Sequence, residues 1–216
     1  MSEQADYSRR DLLRRIGGAM SVAAAGAGAP WALLPAQEAQ HVHQAVAEDK
    51  AAQKGPYQPK ALTAHEYATL ERLSGLILPA DEHSPGAVEA GAAAFIDFLC
   101  AASDEMLAIY TGGIAWLDDA MRRRAEGKDF LGATFLSATA AEQTALLDLI
   151  AWRKNQSPEL NPGIHFFTWA RRMVADAYYT SPIGFKELGY MGNQAMSSFS
   201  VPREAVEYVM KRSPLG

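Results

Sequence analysis

The residues that could do chemistry in this 216-residue chain are few and scattered. Asp81, Glu82 and His83 form the densest ionisable cluster, and His65 and His165 stand near the predicted starts of two helices. Carboxylate and imidazole groups could bind a divalent metal or act as acid and base. Three consecutive side chains in a loop point in different directions, so the cluster favours a solvated loop. A stand-alone exported metalloenzyme that uses Asp81, His83 and either His65 or His165 is the alternative.

The motifs that typify common catalytic centres are absent from the sequence. It has no Gly-x-Ser-x-Gly elbow, no Gly-rich phosphate or dinucleotide loop and no His-Glu-x-x-His. A ferritin-like dimetal bundle needs a Glu-x-x-His motif on each of two helices, and only Glu38 and His41 fit that spacing. We therefore expect no catalytic residue, cofactor ligand or metal ligand in this chain.

Cys100 is the only cysteine. The chain consequently cannot form an internal disulfide, a cysteine-ligated iron–sulfur cluster or a Cys-x-x-Cys-His haem attachment. The preceding residues 95–99 are mostly apolar, which favours a buried structural thiol over a reactive one.

The most specific motif lies near the N-terminus and combines a pair of arginines with a serine, two leucines and a further basic residue. Its members are Ser8, Arg9, Arg10, Leu12, Leu13 and Arg14. Residues 16–36 then form an uncharged run rich in Gly and Ala, which bury little apolar area and make a marginal membrane-spanning helix. The pattern predicts a twin-arginine export signal over residues 1–36, recognised by the Tat translocase, for a protein that reaches the periplasm already folded.

An ordinary Sec signal or a weak membrane anchor is the alternative to a twin-arginine signal. The small residues at 27–29 offer one candidate cleavage site, but Pro30 follows them directly, and Leu-Pro-Ala at 34–36 is a second candidate. Both sites, and an uncleaved anchored form, are compatible with the sequence.

The remaining sequence predicts a linker, one helical domain and a tail. Residues 37–60 are rich in Ala, Gln and charge and contain Gly55, Pro56 and Pro59, which predicts a linker that leaves His41 and His43 exposed. The formal net charge of −5 argues against a nucleic-acid partner. Residues 61–193 would form the domain and residues 194–216 the tail.

The domain is predicted to be all-α, with about five helices plus short helical turns, because no stretch alternates with the period of a strand. Capping boxes at Thr63 and Glu66, and at Thr139 and Glu142, mark two helix starts. Apolar spacing places the helices at about residues 63–78, 92–101, 104–126, 139–154 and 163–180. The last of these is apolar around more than half its circumference, so it is either central or covered by a partner.

Two groups of short motifs remain. The first consists of Leu-Thr-Ala-His-Glu at 62–66, Ile-Leu-Pro-Ala-Asp at 77–81, Pro-Gly-Ala at 85–87, Glu-Ala-Gly at 89–91 and Phe-Ile-Asp-Phe-Leu at 95–99. The second consists of Tyr-Tyr-Thr-Ser-Pro-Ile-Gly at 178–184 and Leu-Gly-Tyr-Met-Gly-Asn at 188–193. In order and spacing they resemble the opening and closing motifs of the gluconate 2-dehydrogenase subunit 3 family.

The resemblance implies a small, non-catalytic subunit of a membrane-associated, FAD-dependent dehydrogenase that oxidises gluconate, sugars, polyols or glycosides. FAD would belong to a large flavoprotein partner, which often passes electrons to a cytochrome c subunit, and this chain would supply the export signal for that partner. An assembly factor that releases its client in the periplasm is a further alternative.

Several residues of the closing motif and the tail are candidates for contact with the partner: Tyr178, Tyr179, Ser181, Pro182, Tyr190 and Phe199. Ser181 would also cap a short helix with Pro182 at its first position. Tyr190, between Gly189 and Gly192, fits either an interface anchor or an internally packed ring. The tail either wraps the partner or forms a last helix over residues 202–211 that folds back on the domain.

Overall fold

Eight α-helices and one 3-10 turn make up the part of the chain that the computed structural model describes, namely residues 36–53, 56–125, 132–189 and 201–213. The helices are α1 (Ala36–Gln53), α2 (Ala64–Ile77), α3 (Ala92–Cys100), α4 (Asp104–Arg124), α5 (Ala140–Ile150), α6 (Asn161–Tyr179), α7 (Pro182–Glu187) and α8 (Arg203–Met210), and the 3-10 turn covers Arg153–Asn155. These ranges contain no strand, which confirms the all-α prediction. None of the helices just named is long and apolar enough to cross a membrane. The twin-arginine segment, Tyr190 and Phe199 lie outside the described residues.

The predicted capping boxes set the starts of α2 and α5. The Thr63 hydroxyl accepts the Glu66 amide N–H at 3.3 Å, while the Glu66 carboxylate accepts the Thr63 amide N–H at 2.8 Å. Thr139 and Glu142 repeat this arrangement at α5. In each case two amide groups that no helical carbonyl can reach are satisfied reciprocally. The helix starts at both sites are therefore confirmed.

Helices α3 and α6 form the centre of the fold. Every residue of α3 is buried, because α1, α2, α4 and α6 pack around it. Helix α6 contacts α2, α3, α4, α5 and α7, and these helices bury most of its apolar side chains. The sequence is compatible with a central helix or with a helix that a partner covers. In the structure, the central position of α6 explains its apolar composition.

A buried carboxylate connects the segment before α2 to this centre. Asp97 has no exposed surface, and its two oxygens accept four hydrogen bonds. The Tyr57 hydroxyl donates at 2.8 Å, and the backbone amides of residues 60, 61 and 62 donate at 2.7, 3.1 and 2.9 Å. Since a buried charge is tolerated only when its hydrogen-bonding capacity is filled, these donors fix the path of residues 57–62 over α3.

The structure corrects the prediction of a linker over residues 37–60. Residues 37–53 belong to α1, which buries Ala39, Val42, Ala45 and Val46 against the core. Alanine is the best helix former, and small side chains let α1 approach α3 closely, so the segment needs no large apolar residues to order it. Positions 39, 42 and 46 have the spacing of one face of a helix, so this spacing, and not the amino-acid composition, indicates α1.

Two polar contacts hold α1 in place. Asp49, buried on α1, forms an ion pair with Lys60. The His43 ring lies 4.6 Å from the Phe95 ring, centre to centre, and its Nε2 atom lies 3.0 Å from the Thr180 hydroxyl oxygen. Burial lowers the pKa of His43 from 6.5 to about 4, although a hydrogen bond with the Ala177 backbone acts in the opposite direction. The ring is therefore neutral at pH 7, and it is half-buried against the core residue Phe95, not exposed on a linker.

A second buried carboxylate joins α2, α4 and the loop before α5. Asp118 accepts the Phe135 amide N–H at 2.8 Å and lies 2.7 Å from His65 Nε2. Gln143 donates to the Phe135 carbonyl at 2.7 Å and accepts from Arg72 Nε at 2.8 Å. Both backbone groups of the fully buried Phe135 are thus satisfied by side chains.

We predict that Asp97→Asn lowers the free energy of unfolding by about 2–4 kcal/mol. The substitution replaces one acceptor oxygen with an NH₂ group, which cannot accept the hydrogen bonds that the oxygen accepted. Urea denaturation of the full chain measures the change. Asp119→Asn is the matched control, since Asp119 is a partly exposed carboxylate on α4 that pairs with Arg123. It should cost less than about 1 kcal/mol. Equal effects of the two substitutions would contradict the role assigned to Asp97.

We predict that His43 makes the fold sensitive to mild acid. Because its pKa is lower in the folded protein, the neutral ring stabilises the fold fully above pH 6.5, and this contribution is lost as the pH falls towards 4. The stability advantage of the parent over His43→Gln should shrink by about 2 kcal/mol between pH 7 and pH 5. His41→Gln, which alters an exposed histidine on the same helix, serves as the control and should show no such change. A pH-independent gap for His43→Gln would refute the prediction.

Candidate partner interface

The closing motif forms the junction between α6 and α7. The Ser181 hydroxyl accepts the Gly184 amide N–H at 3.1 Å and donates to the Tyr178 carbonyl at 2.6 Å. Pro182 occupies the first turn of α7, where the missing amide proton costs no helical hydrogen bond. The predicted cap at Ser181 is confirmed. Gly184 is required here because a Cβ atom would lie 2.2 Å from the Tyr178 carbonyl oxygen.

Tyr178 fastens the loop after α2 to this junction. Its hydroxyl lies 2.6 Å from Ser84 Oγ, donates to the Pro85 carbonyl at 3.0 Å and contacts the Glu187 carboxylate. Burial and the hydrogen bond to Glu187 raise the pKa of Tyr178. The Tyr178 hydroxyl therefore connects the opening motifs at 77–91 to the closing motifs at 178–189.

The candidate interface residues fall into three groups. Tyr178 and Ser181 are buried, so they shape the surface from beneath. Pro182 is exposed, and Tyr179 is 40% exposed with its ring edge-on to Tyr178 at 5.0 Å between centroids, so these two can touch a partner. Tyr190 and Phe199 are among the residues that the structure does not describe. The assignment of all six to the interface stays a prediction.

A groove that the sequence did not predict lies between α1 and α7, with a volume of about 530 Å³. Its walls are mainly apolar and include Val46, Ala47, Ala90, Pro182 and Phe185, while its polar lining comes from Gln40, His43, Gln44, Lys50 and Thr180. The groove depends on α1, which explains why a reading that treated residues 37–60 as a linker missed it. The exposed Pro182 lies in the wall of this apolar groove.

A second groove, of about 320 Å³, lies between α4 and the N-terminal half of α6. A Cβ atom at Gly113 would lie 2.0 Å from the Phe166 ring, and one at Gly163 would lie 2.2 Å from the Trp116 ring, so close packing accounts for these two glycines. His165 lines this groove and is exposed. The other side chains in its wall are apolar or aromatic and include Ile109, Trp116 and Trp169.

The structure gives structural roles to three residues with catalytic potential, namely Asp81, His65 and Cys100. Asp81 accepts the amide N–H groups of His83 and Ser84, both at 2.8 Å, and these bonds lower its pKa. His65 pairs with Asp118. Cys100 is buried, and burial raises its pKa, which suits a structural thiol. Within the described ranges no three His, Cys, Asp or Glu side chains lie close enough together to hold a metal ion.

Comparison with known proteins gives one match. The sequence model of the family described as gluconate 2-dehydrogenase subunit 3 covers residues 64–197, which is more than half of the chain. No curated protein and no solved structure matches the chain significantly. The matched range contains α2 to α7, the loop fastened by Tyr178 and the capped junction at Ser181. These findings confirm the resemblance seen in the motifs: the chain belongs to the gluconate 2-dehydrogenase subunit 3 family, and thus to the subunits of a dehydrogenase complex.

Proposed function

We propose that this chain is the non-catalytic small subunit of a membrane-associated, FAD-dependent dehydrogenase. In this proposal it carries the large flavoprotein subunit through the Tat translocase and stabilises it in the periplasm. The complex would oxidise gluconate or another sugar, polyol or glycoside, with FAD held by the large subunit and electrons passed to a cytochrome c subunit where one is present. Membership of the gluconate 2-dehydrogenase subunit 3 family is the observation that carries the proposal.

The hydrogen bonds of the buried polar side chains support a structural role. Asp97, Asp118 and Gln143 form hydrogen bonds with backbone groups and neighbouring side chains of this chain. A carboxylate whose acceptor positions are filled in this way cannot also bind and release protons during turnover without disrupting the fold. The described core is therefore built for stability, in keeping with a subunit that braces another protein.

The N-terminal sequence supports the export role by a physical argument. A flavoprotein must close around FAD before it crosses the membrane, and the twin-arginine route carries folded proteins. A chain that bears such a signal and binds a folded partner can bring that partner across. The signal and the partner would then act as one exported unit.

We predict that the double substitution Arg9→Lys and Arg10→Lys keeps the large subunit in the cytoplasm, because lysine preserves the charge but not the guanidinium pair. Dye-linked dehydrogenase activity is measured in periplasmic and cytoplasmic fractions of the native host, and most of it should move to the cytoplasm. Arg15→Lys, outside the pair, is the control and should leave the distribution unchanged. Periplasmic activity at the parental level in the double variant would exclude the export role.

We also predict that the chain purified alone shows neither the absorbance of a flavin nor turnover with gluconate, sugars or polyols. The complex purified through a tag on this chain should show both, with the flavin bound to the large subunit after the two chains are separated. Flavin retained by this chain after separation would contradict the assignment of FAD to the partner.

A further inference from the structure

Helix α8 has two chemically distinct faces. At the helical angle of 100° per residue, Ala205, Val206, Val209 and Met210 share one arc, while Arg203, Glu204, Glu207 and Tyr208 share the other. Every residue of α8 is exposed, and Val206, Val209 and Met210 are 45%, 61% and 61% exposed. The apolar arc is therefore formed but buries nothing against the rest of the described chain.

The polar arc is organised so as to leave the apolar one free of charge. Arg203 donates to the Glu207 carboxylate at 2.8 Å, one helical turn away. The Arg212 guanidinium lies 3.8 Å from the centre of the Tyr208 ring. These contacts hold the Arg203, Glu207 and Arg212 side chains on the polar arc, so a partner that accepts the apolar arc need not desolvate these charges.

Exposed apolar surface is concentrated at this end of the chain. The described residues include ten large apolar side chains that are exposed, and seven of them lie from residue 179 onward. These seven are Tyr179, Leu188, Val201, Val206, Tyr208, Val209 and Met210. Of these seven, Val206, Val209 and Met210 share one arc of α8 and form a patch instead of isolated side chains, which is the pattern that marks an interaction surface.

The family match indicates the kind of partner. A chain that belongs to a family of dehydrogenase subunits has another subunit to bind, and that subunit is the occupant we assign to the apolar arc. Because a specific interface buries about 1,200–2,000 Å² in total and one arc of an eight-residue helix supplies only a fraction of that area, α8 is one part of a larger interface.

We propose that α8 docks through Val206, Val209 and Met210 into an apolar groove on the large subunit of the dehydrogenase, with its polar arc left in water. This is the helix-in-groove mode of recognition, in which residues at positions i, i+3 and i+4 act as anchors. The inference rests on the proposed function, because it takes the large subunit as the occupant. It adds the contact surface, its chemistry and the residues that specify it.

Two adjacent residues provide a matched test. Val209 and Tyr208 are 61% and 60% exposed, and they lie on opposite arcs. Val209→Asp and Tyr208→Asp each add one carboxylate at nearly the same point of the helix. Tagged full-length parent and variants replace the native copy in the host, and the amount of large subunit retained per tagged chain is measured after purification at matched salt. Thermal unfolding of each isolated chain should be unchanged, since neither side chain is buried.

We expect Val209→Asp to lower retention of the large subunit about tenfold, which is the loss of one buried apolar anchor plus the cost of desolvating a charge. Tyr208→Asp should stay within about twofold of the parent. Equal retention by all three chains, or equal loss in both variants, overturns the proposal for α8. So does a dimer of the isolated parent chain that Val209→Asp disrupts. If the parent itself retains no large subunit, the proposed function fails instead, and this outcome is separate from the comparison of the variants.

Discussion

The burial of the Asp97 carboxylate is the interaction on which the rest of the fold depends. Helix α3 is covered on all sides, so a charge in its middle is stable only if donors reach it from outside the helix. Those donors are the Tyr57 hydroxyl and three consecutive backbone amides, which belong to a segment that would otherwise have no secondary structure to hold it. The two carboxylate oxygens thus order a segment that belongs to no strand or helix, and they hold it over α3 up to the capping box at which α2 begins.

The same device appears at Asp118 and Gln143, where side chains satisfy both backbone groups of Phe135. In an all-helical fold, the loops between helices cannot pair with a sheet, so buried loop backbone must be satisfied by side chains. The buried side chains of Asp97, Asp118 and Gln143 are therefore explained by the loop backbone that they support. This account also covers His65, which the sequence presented as a candidate for chemistry and which the structure places against Asp118.

The sequence predicted local features well and non-local ones poorly. Capping boxes at Thr63 and Thr139 and the cap at Ser181 depend on residues three positions apart, so the pattern contains the whole interaction. The hydrogen bonds to Asp97 join residues 35 to 40 positions apart, and the contact of His43 with Thr180 spans 137 positions. No local pattern encodes such pairs. Helix α1 was missed for a related reason: its small side chains are a good docking surface only because α3 is there to receive them, and the groove beside α7 was missed with it.

The distribution of apolar surface separates the molecule into a body and an exposed C-terminal helix. Within the body, the helices packed around α6 bury most of its apolar side chains, so its composition needs no partner. Helix α8 differs, because an apolar arc is already separated from the charges yet nothing in the described chain covers it. A helix of eight residues gains little stability from its backbone alone, so its packing must come from elsewhere. The described body is therefore held together by carboxylates that are satisfied internally, whereas the stabilisation that we propose for α8 would come only from contact with another subunit.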